Sequence, residues 1–158
     1  MRPKAREIGV AALAVLFALA ASAQTPPPTG DVRIENAWTH ANSEIGGAAG
    51  VYFSLTNVGA KTIELIGARA DFASIETLHK TNIDTKGVPR MSAVPELKVA
   101  PGATVQLQPD GLHVMLIDLE LPLVEGETLS LRLKFEDGED VLVAVSIRAT
   151  DTAGLVTE

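Results

Sequence analysis

Turn-forming residues divide the chain after residue 30 into short segments, and these segments favour strands over helices. The separators are Asn57-Val58-Gly59, Ala100-Pro101-Gly102, Pro109-Asp110-Gly111 and Asp137-Gly138. Apolar and polar residues alternate between them, most clearly in Ser130–Phe135. A period of two is typical of a strand with one buried face. Repeated short strands of this kind predict an all-β sandwich or barrel.

Eight segments carry this pattern, and no segment beyond the first residues shows a helical period. The predicted strands are Arg33–Trp38, Gly50–Asn57, Lys61–Arg69, Ser74–Lys80, Thr104–Gln108, Gly111–Leu119, Thr128–Phe135 and Asp140–Arg148. Of the 158 residues, 46% are hydrophobic and 21% are charged. A chain of this length and composition can bury the core of one domain.

The first residues have the three parts of a secretory signal peptide. Basic residues precede the apolar run Ile8–Ala20, and the small residues Ala21–Ala23 follow it. The run is short for a membrane-spanning helix, which needs about 20 residues. We therefore expect cleavage after Ala23. The expected segments are a signal peptide (residues 1–23), a proline-rich linker (24–30), a β-sandwich domain (31–150) and a flexible tail (151–158).

The charge and the lack of cysteine indicate the compartment and exclude several functions. Cleavage would leave 10 basic and 19 acidic side chains, a net charge of −9, which argues against a nucleic-acid partner. Without cysteine there is no disulfide, thiol nucleophile, thiolate zinc site, iron–sulfur cluster or blue-copper site. Lipid attachment to a cysteine after the cleavage site is excluded as well. We expect a monomeric periplasmic protein without a membrane anchor after cleavage.

Histidine and methionine form the one notable constellation. Apart from Met1 and His40, these residues are His79, Met91, His113 and Met115, with 11, 21 and one residues between them. The side chains of His113 and Met115 share a face because they are two apart in a predicted strand.

The segment between His79 and Met91 can form a hairpin turn. Gly87 suits a turn position with positive φ, and a loop centred near Thr85 would bring His79 and Met91 together. The spacing alone leaves open that the two pairs stay apart. Each residue taken singly has an ordinary alternative as a core methionine or a half-buried histidine.

Two imidazoles and two thioethers make a soft, uncharged ligand set. Thioether sulfur selects Cu(I) over hard ions. Zinc sites use cysteine, histidine and carboxylates, whereas calcium and magnesium prefer oxygen. If the four side chains meet, the predicted ligand is Cu(I).

These four residues resemble the signature of the PCu(A)C family of periplasmic copper chaperones. Ala37-Trp38, the segment Gly46–Asn57 and the stretch from Leu121 to Gly138 are similar to the family as well, so the resemblance covers residues 31–148. It implies a cupredoxin-like or immunoglobulin-like β-sandwich that binds one Cu(I) near the solvent. It also implies delivery of copper to the CuA centre of cytochrome c oxidase or to another exported copper protein.

The chain departs from the family at two places. Lys80 replaces a family methionine, which we interpret as an optional position because it points to the face opposite His79. The tail has no histidine or methionine, so one copper site is expected. His40 lies where the family tends to have a basic residue. We expect a surface histidine there, with an auxiliary Cu(II) ligand as the alternative.

Other functions stay open beside copper delivery. Copper storage or sequestration would use the same ligands, and a metal-free β-sandwich binding module would use none of them. The basic residues Lys80, Lys86 and Arg90 indicate either a solvated turn or a docking edge for an acidic acceptor. An exported enzyme is not expected, because no nucleophile motif frames Ser74, Ser92 or Asp110.

Overall fold

The computed structural model describes residues 30–150, and all of the regular structure in this range is β. The expected signal peptide, the linker before residue 30 and the tail lie outside the described residues. The ten strands are β1 (Val32–His40), β2 (Ala48–Asn57), β3 (Ile63–Arg69), β4 (Ala73–Ile83), β5 (Pro89–Ala93), β6 (Leu97–Val99), β7 (Thr104–Leu107), β8 (Leu112–Leu119), β9 (Thr128–Phe135) and β10 (Val141–Arg148). Within residues 30–150 there is no helix of the length and apolarity that a membrane span requires.

All eight predicted strands are present, with ends that differ by at most three residues. Strands β5 and β6 were not predicted as strands. All five residues of β5 are exposed, so the sequence there shows no alternation between a buried and an open face. Strand β6 has only three residues, too few for a period to be recognised.

The strands form one continuous ladder that folds over into two layers. Their order is β5-β4-β8-β2-β1-β10-β9-β3-β6, and β7 pairs with β2. Strands β1 and β10 run parallel, and the other pairs are antiparallel. Phe53 and Leu116 from one half share a single hydrophobic core with Leu131 and Val145 from the other half. The two halves therefore face each other, which confirms the predicted β-sandwich.

Strict alternation explains why the core forms where it does. Every second residue of β10, from Val141 to Ile147, is buried, and the residues between them are exposed. Leu131 and Leu133 of β9 alternate in the same way. Complete burial of one such aliphatic side chain contributes roughly 1.5–3 kcal/mol. The side chains at the alternate positions point to the outer faces, where polar groups can take part in a site.

A β-bulge in β1 changes which of its side chains face outward. The register with β2 shifts between Glu35 and Trp38, and Asn36 has a left-handed φ of 54°. Before the bulge, Ile34 packs against the core. Because the side-chain period of a strand is two, Trp38 and His40 would share the face of Ile34 in a regular strand. The extra residue turns both of them to the outer face.

We predict that the bulge tolerates glycine and rejects a β-branched residue. Asn36→Val should lower the free energy of unfolding by about 1–2 kcal/mol, because a left-handed backbone brings Cβ close to the following carbonyl oxygen. Asn36→Gly should change it by less than about 0.5 kcal/mol. Urea unfolding followed by circular dichroism measures both values. Equal losses for the two variants would show that the φ of Asn36 is not what constrains this position.

Candidate metal centre

The ladder between β4 and β8 brings three of the four predicted ligands to one outer face. His79 lies directly opposite His113, and Met115 lies opposite Thr77. Residues opposite each other in an antiparallel pair project from the same side of the sheet. Since Met115 is two residues from His113, its side chain shares that side. The two predicted pairs therefore meet on neighbouring strands.

The hairpin between β4 and β5 brings Met91 to the same face, in a register that differs from the predicted one. The ladder is centred on Lys86 rather than Thr85, so Met91 lies opposite Thr81. His79 and Met91 are thus diagonal neighbours instead of direct partners. A diagonal of about 7–8 Å is within reach of long side chains. The shift does not alter the face, because it moves the cross-strand partner by two residues.

Hydrogen bonds to Asp84 hold the turn of this hairpin. Its carboxylate accepts from the backbone N–H groups of Val88 at 3.0 Å and Lys86 at 2.9 Å, and from Nε of Arg90 at 3.2 Å. These bonds, the backbone pair first, lower the pKa of Asp84 from its ordinary value. Gly87 has the predicted positive φ, at 78°. Because Arg90 is paired, the hairpin is less basic than its composition indicates.

His113 is held in one tautomer by a backbone carbonyl. Its side chain is on the outer face, yet the residue is only 5% exposed. Nδ1 lies 3.0 Å from the carbonyl oxygen of Gly111, which also accepts a hydrogen bond from the backbone N–H of Thr81 at 3.0 Å. A carbonyl oxygen can only accept, so Nδ1 carries a proton, and in the neutral ring the lone pair is then on Nε2. A second hydrogen bond of this kind is what fixes the orientation of metal-binding histidines in proteins.

His79 has a buried nitrogen without a hydrogen-bond partner. Its Nδ1 is buried and unpaired, as is Oγ1 of the neighbouring Thr77. An unsatisfied buried polar group costs about 1–3 kcal/mol, so an unpaired imidazole nitrogen calls for another partner. The ring centres of His79 and His113 are 6.0 Å apart, and the ring planes are nearly perpendicular at 88°. The donor set and the orphaned nitrogen fit a soft metal ion, and the ligand role of these residues stays a prediction.

Tyr52 covers the β2 side of this site. Its ring centre is 6.3 Å from that of His113 and 4.7 Å from that of Trp38, and the Arg148 guanidinium lies 4.7 Å from the Trp38 ring centre. A Cβ on Gly50 would overlap Oη of Tyr52, so the ring lies along β2 over the glycine. Gly50 is itself the cross-strand partner of Met115. This aromatic wall was not predicted as part of the site, although a glycine inside a strand indicates such a close approach.

The environment of Tyr52 favours the neutral phenol. Burial raises the pKa of Tyr52 above its ordinary value, and the negative charge of Asp110 raises it further. Tyr52 therefore acts as an uncharged wall at neutral pH. It shields His113 from water without adding an anion beside the ligands.

His40 belongs to the aromatic wall rather than to the open surface. It is partly buried, its ring centre is 4.9 Å from that of Trp38, and its Nδ1 donates to the carbonyl oxygen of Ala149 at 3.2 Å. The expectation of a surface histidine is therefore only partly met. Tyr52 lies between the two histidines, and its ring centre is 6.3 Å from the ring centre of His40 and 6.3 Å from that of His113. An auxiliary Cu(II) role for His40 stays a prediction.

Lys80 faces away from the predicted ligands. It pairs with Ser92, and both residues are exposed. Since it neighbours His79 in a regular strand, its side chain leaves the opposite side of the sheet. This placement agrees with the interpretation of Lys80 as an optional position.

Carboxylates cluster at a different place in the sandwich. Among residues 30–150, the group with metal-like spacing of histidine or carboxylate atoms consists of Glu64, Glu96 and Glu136. Nζ of Lys98 lies 3.1 Å from Oε1 of Glu64 and 3.3 Å from Oε1 of Glu96. The hydrogen bond from Lys98 lowers the pKa of Glu64, and a hydrogen bond with Glu64 raises the pKa of Glu136. The lysine thus already serves the cluster as a counter-ion. A cavity of about 570 Å³ lies beside Glu64 and Phe135, away from the histidines.

The fold is that of PCuAC domains. The copper-bound PCuAC domain from PmoF2 superposes with a TM-score of 0.64 at 22% identity, covering 77% of this chain and 95% of that domain. Apo-DR1885 from Deinococcus radiodurans is 30% identical, with a TM-score of 0.59 over 92% of this chain and 98% of its own. CuI-DR1885 from the same organism is 32% identical, with a TM-score of 0.56 over 81% and 83% of the two chains. These structures confirm the expected cupredoxin-like sandwich.

The sequence itself defines the family. The family described as "Putative lipoprotein LpqE-like" matches residues 32–147. "Putative lipoprotein Lxx21020" of Leifsonia xyli subsp. xyli (strain CTCB07) is 34% identical over 131 residues, which are 82% of this chain and 78% of that protein. The chain therefore belongs to the LpqE-like family. These names agree with the expected export, and the periplasmic location and the lack of an anchor stay predictions.

We predict that Gly50→Ala disturbs the aromatic wall. The added methyl group would displace Tyr52, and with it the packing against Trp38, the only tryptophan of the chain. Tryptophan fluorescence should shift to longer wavelength, and the unfolding free energy should fall below that of the control. The control is Gly67→Ala, because a Cβ at Gly67 meets nothing within 4 Å. Identical fluorescence and stability in the two variants would mean that Tyr52 does not depend on the glycine.

Proposed function

We propose that this protein is an exported copper(I) carrier with one site, built from His79, Met91, His113 and Met115. It delivers the ion to the CuA centre of cytochrome c oxidase or to another exported copper protein, and it catalyses no reaction of its own. The observation that carries the proposal is the unpaired Nδ1 of His79 opposite the oriented imidazole of His113, on a face that both methionines share. Copper in the related PmoF2 domain and Cu(I) in DR1885 support it.

The chemistry of the ligand set favours Cu(I) over other ions. Thioethers are soft and neutral, and they do not offer the charge that Zn²⁺ or Ca²⁺ would require. The four side chains lie on a sheet face that supplies no carboxylate from β4, β5 or β8. A monovalent d¹⁰ ion bound by neutral ligands leaves the site with a single positive charge. Such a site can retain copper where free thiols are scarce and still release it.

The four proposed ligands differ in accessibility, and this difference predicts the order in which they leave the ion during transfer. His113 is buried and tied to Gly111, whereas Met91 is 50% exposed on the outermost strand. We infer that an incoming ligand displaces Met91 first, since the β4–β5 hairpin can move without disturbing the core. His113 would be the last ligand to dissociate from the ion. The thiolate ligands of an acceptor are softer than thioethers and negatively charged. They therefore bind Cu(I) more tightly, and transfer of the ion to them is favourable.

We predict that each methionine is required for tight Cu(I) binding. Met91→Leu and Met115→Leu keep the volume and remove the sulfur, so each should weaken binding at least about tenfold, or about 1.4 kcal/mol. Competition with a chromogenic Cu(I) chelator measures the affinity and should give one ion per chain. The control Lys80→Ala should bind like the parent. A Met115→Leu variant with the parent's affinity would defeat the assignment.

We also predict a loss of copper from cytochrome oxidase in cells without the gene. In a deletion strain grown at limiting copper, the copper occupancy of the CuA centre should fall, and added copper should restore it. The reason is that delivery matters only when free copper is scarce. Unchanged occupancy of the oxidase and of other exported copper proteins would favour storage or sequestration instead.

A further inference from the structure

The outer face around the four ligands contains no Asp, Glu, Lys or Arg. Besides His79, His113, Met91 and Met115, the outward positions of β4, β5 and β8 hold only isoleucine, threonine, proline and alanine. Ile75 lies opposite Ile117 at one end, and Ile83 lies opposite Pro89 at the other. We call the outward side chains of β5, β4, β8 and β2, with Trp38 and His40, the uncharged face. Two cations border this face: Arg148 stacks on Trp38, and Arg33 lies opposite Thr56 of β2.

This face contrasts with the rest of the chain. Charged residues make up 21% of the sequence, and the net charge is −7. The lysine and arginine of β4 and β5, Lys80 and Arg90, both occupy positions on the reverse side. Ile75 is nevertheless 52% exposed, and Ile83 is more exposed still. Met91, at 50% exposure, is the third exposed apolar side chain on this face, and none of the three has a charged neighbour on the outward side of β4, β5 or β8. Exposed apolar side chains that share one face are typical of an interaction surface.

The size of the uncharged face fits a transient partner. Five adjacent strands span about 19 Å, and the eight steps from Ile75 to Ile83 span about 27 Å, from ordinary strand spacings. The area is therefore about 500 Å² on this chain, or about 1,000 Å² for both partners. Complexes of that size are typically short-lived. A carrier that has to leave after delivery needs a contact of this size.

We propose that the uncharged face docks the copper-receiving protein, and that the receiver surrounds its own copper ligands with an apolar, uncharged ring. This inference rests on the proposed function. An ionised group of the receiver buried against Ile75 or Ile117 would lose its hydration without a counter-ion. A second copy of this chain fits less well, because two acidic molecules repel each other and their contact would cover both ligand sets.

The cargo supplies the only formal charge at the centre of this contact. The two imidazoles and two thioethers that would bind the ion bring no formal charge, so the loaded site carries only the charge of Cu(I). A receiver with anionic ligands is therefore attracted to the loaded carrier, and this attraction is strong because the contact excludes water. Once the ion has moved, the attraction is gone. Docking then ends after delivery without any change in the fold of the carrier.

The test places one charge at either end of the face and keeps the ligands. Ile75→Asp and Ile83→Asp are compared with Leu142→Asp, which lies on the outer side of β10 and is as exposed as Ile83. All three purified variants should bind Cu(I) with the affinity of the parent. In the deletion strain at limiting copper, Leu142→Asp should restore the copper occupancy of the oxidase. Ile75→Asp and Ile83→Asp should leave it at least fivefold lower.

The outcomes separate this inference from the proposed function. Full restoration by Ile75→Asp and Ile83→Asp, with parental Cu(I) affinity, would overturn the docking face and leave the carrier function standing. A parent chain that sediments as a dimer, together with a monomeric Ile75→Asp variant, would assign the face to a second copy and overturn the proposal. A parent chain that binds no Cu(I) would remove the proposed function, and the docking face with it.

Discussion

The register between β4 and β8 is the constraint on which the candidate site depends. Leu78 and Val114 form a cross-strand pair whose side chains are buried in the core. The next pair along the ladder, His79 with His113, therefore has to point outward. A slip of β4 by one residue would expose Leu78 and bury His79. The burial of aliphatic side chains thus sets the position of the imidazoles, although no aliphatic residue belongs to the ligand set.

The outer face is built as a layer of its own on top of this core. Trp38, Tyr52 and His113 contact one another in sequence across three strands, and Arg148 covers the outer end of the row. Packing of these rings holds His113 from the side, while Gly111 holds it from the end. Ligand atoms can therefore be altered without opening the core. The fold and the candidate ligand atoms therefore rest on separate sets of contacts.

Much of the fold, and the shared face of His113 and Met115, could be predicted because both depend on local periodicity. Alternation identified eight of the ten strands, and spacing placed His113 beside Met115. The centre of the hairpin was predicted one residue too early, because turn composition locates a turn only approximately. The wall of Trp38, Tyr52 and Gly50 could not be predicted from local patterns. It needs the bulge in β1 and the pairing of β2 with β8, both of which depend on residues distant in sequence.

The bulge at Asn36 makes β1 sensitive to length rather than to composition. The alternation of inward and outward side chains reverses at the bulge. Even-numbered residues therefore point to one face before the bulge and to the other face after it. Loss of a single residue at this point would turn Trp38 towards the core and withdraw the support behind Tyr52. The damage would reach His113, two strands away, with every candidate ligand still present. A one-residue deletion at the bulge would keep all four candidate ligands in the sequence. It would nevertheless disturb the site from a distance, because it reverses which side chains of β1 point outward.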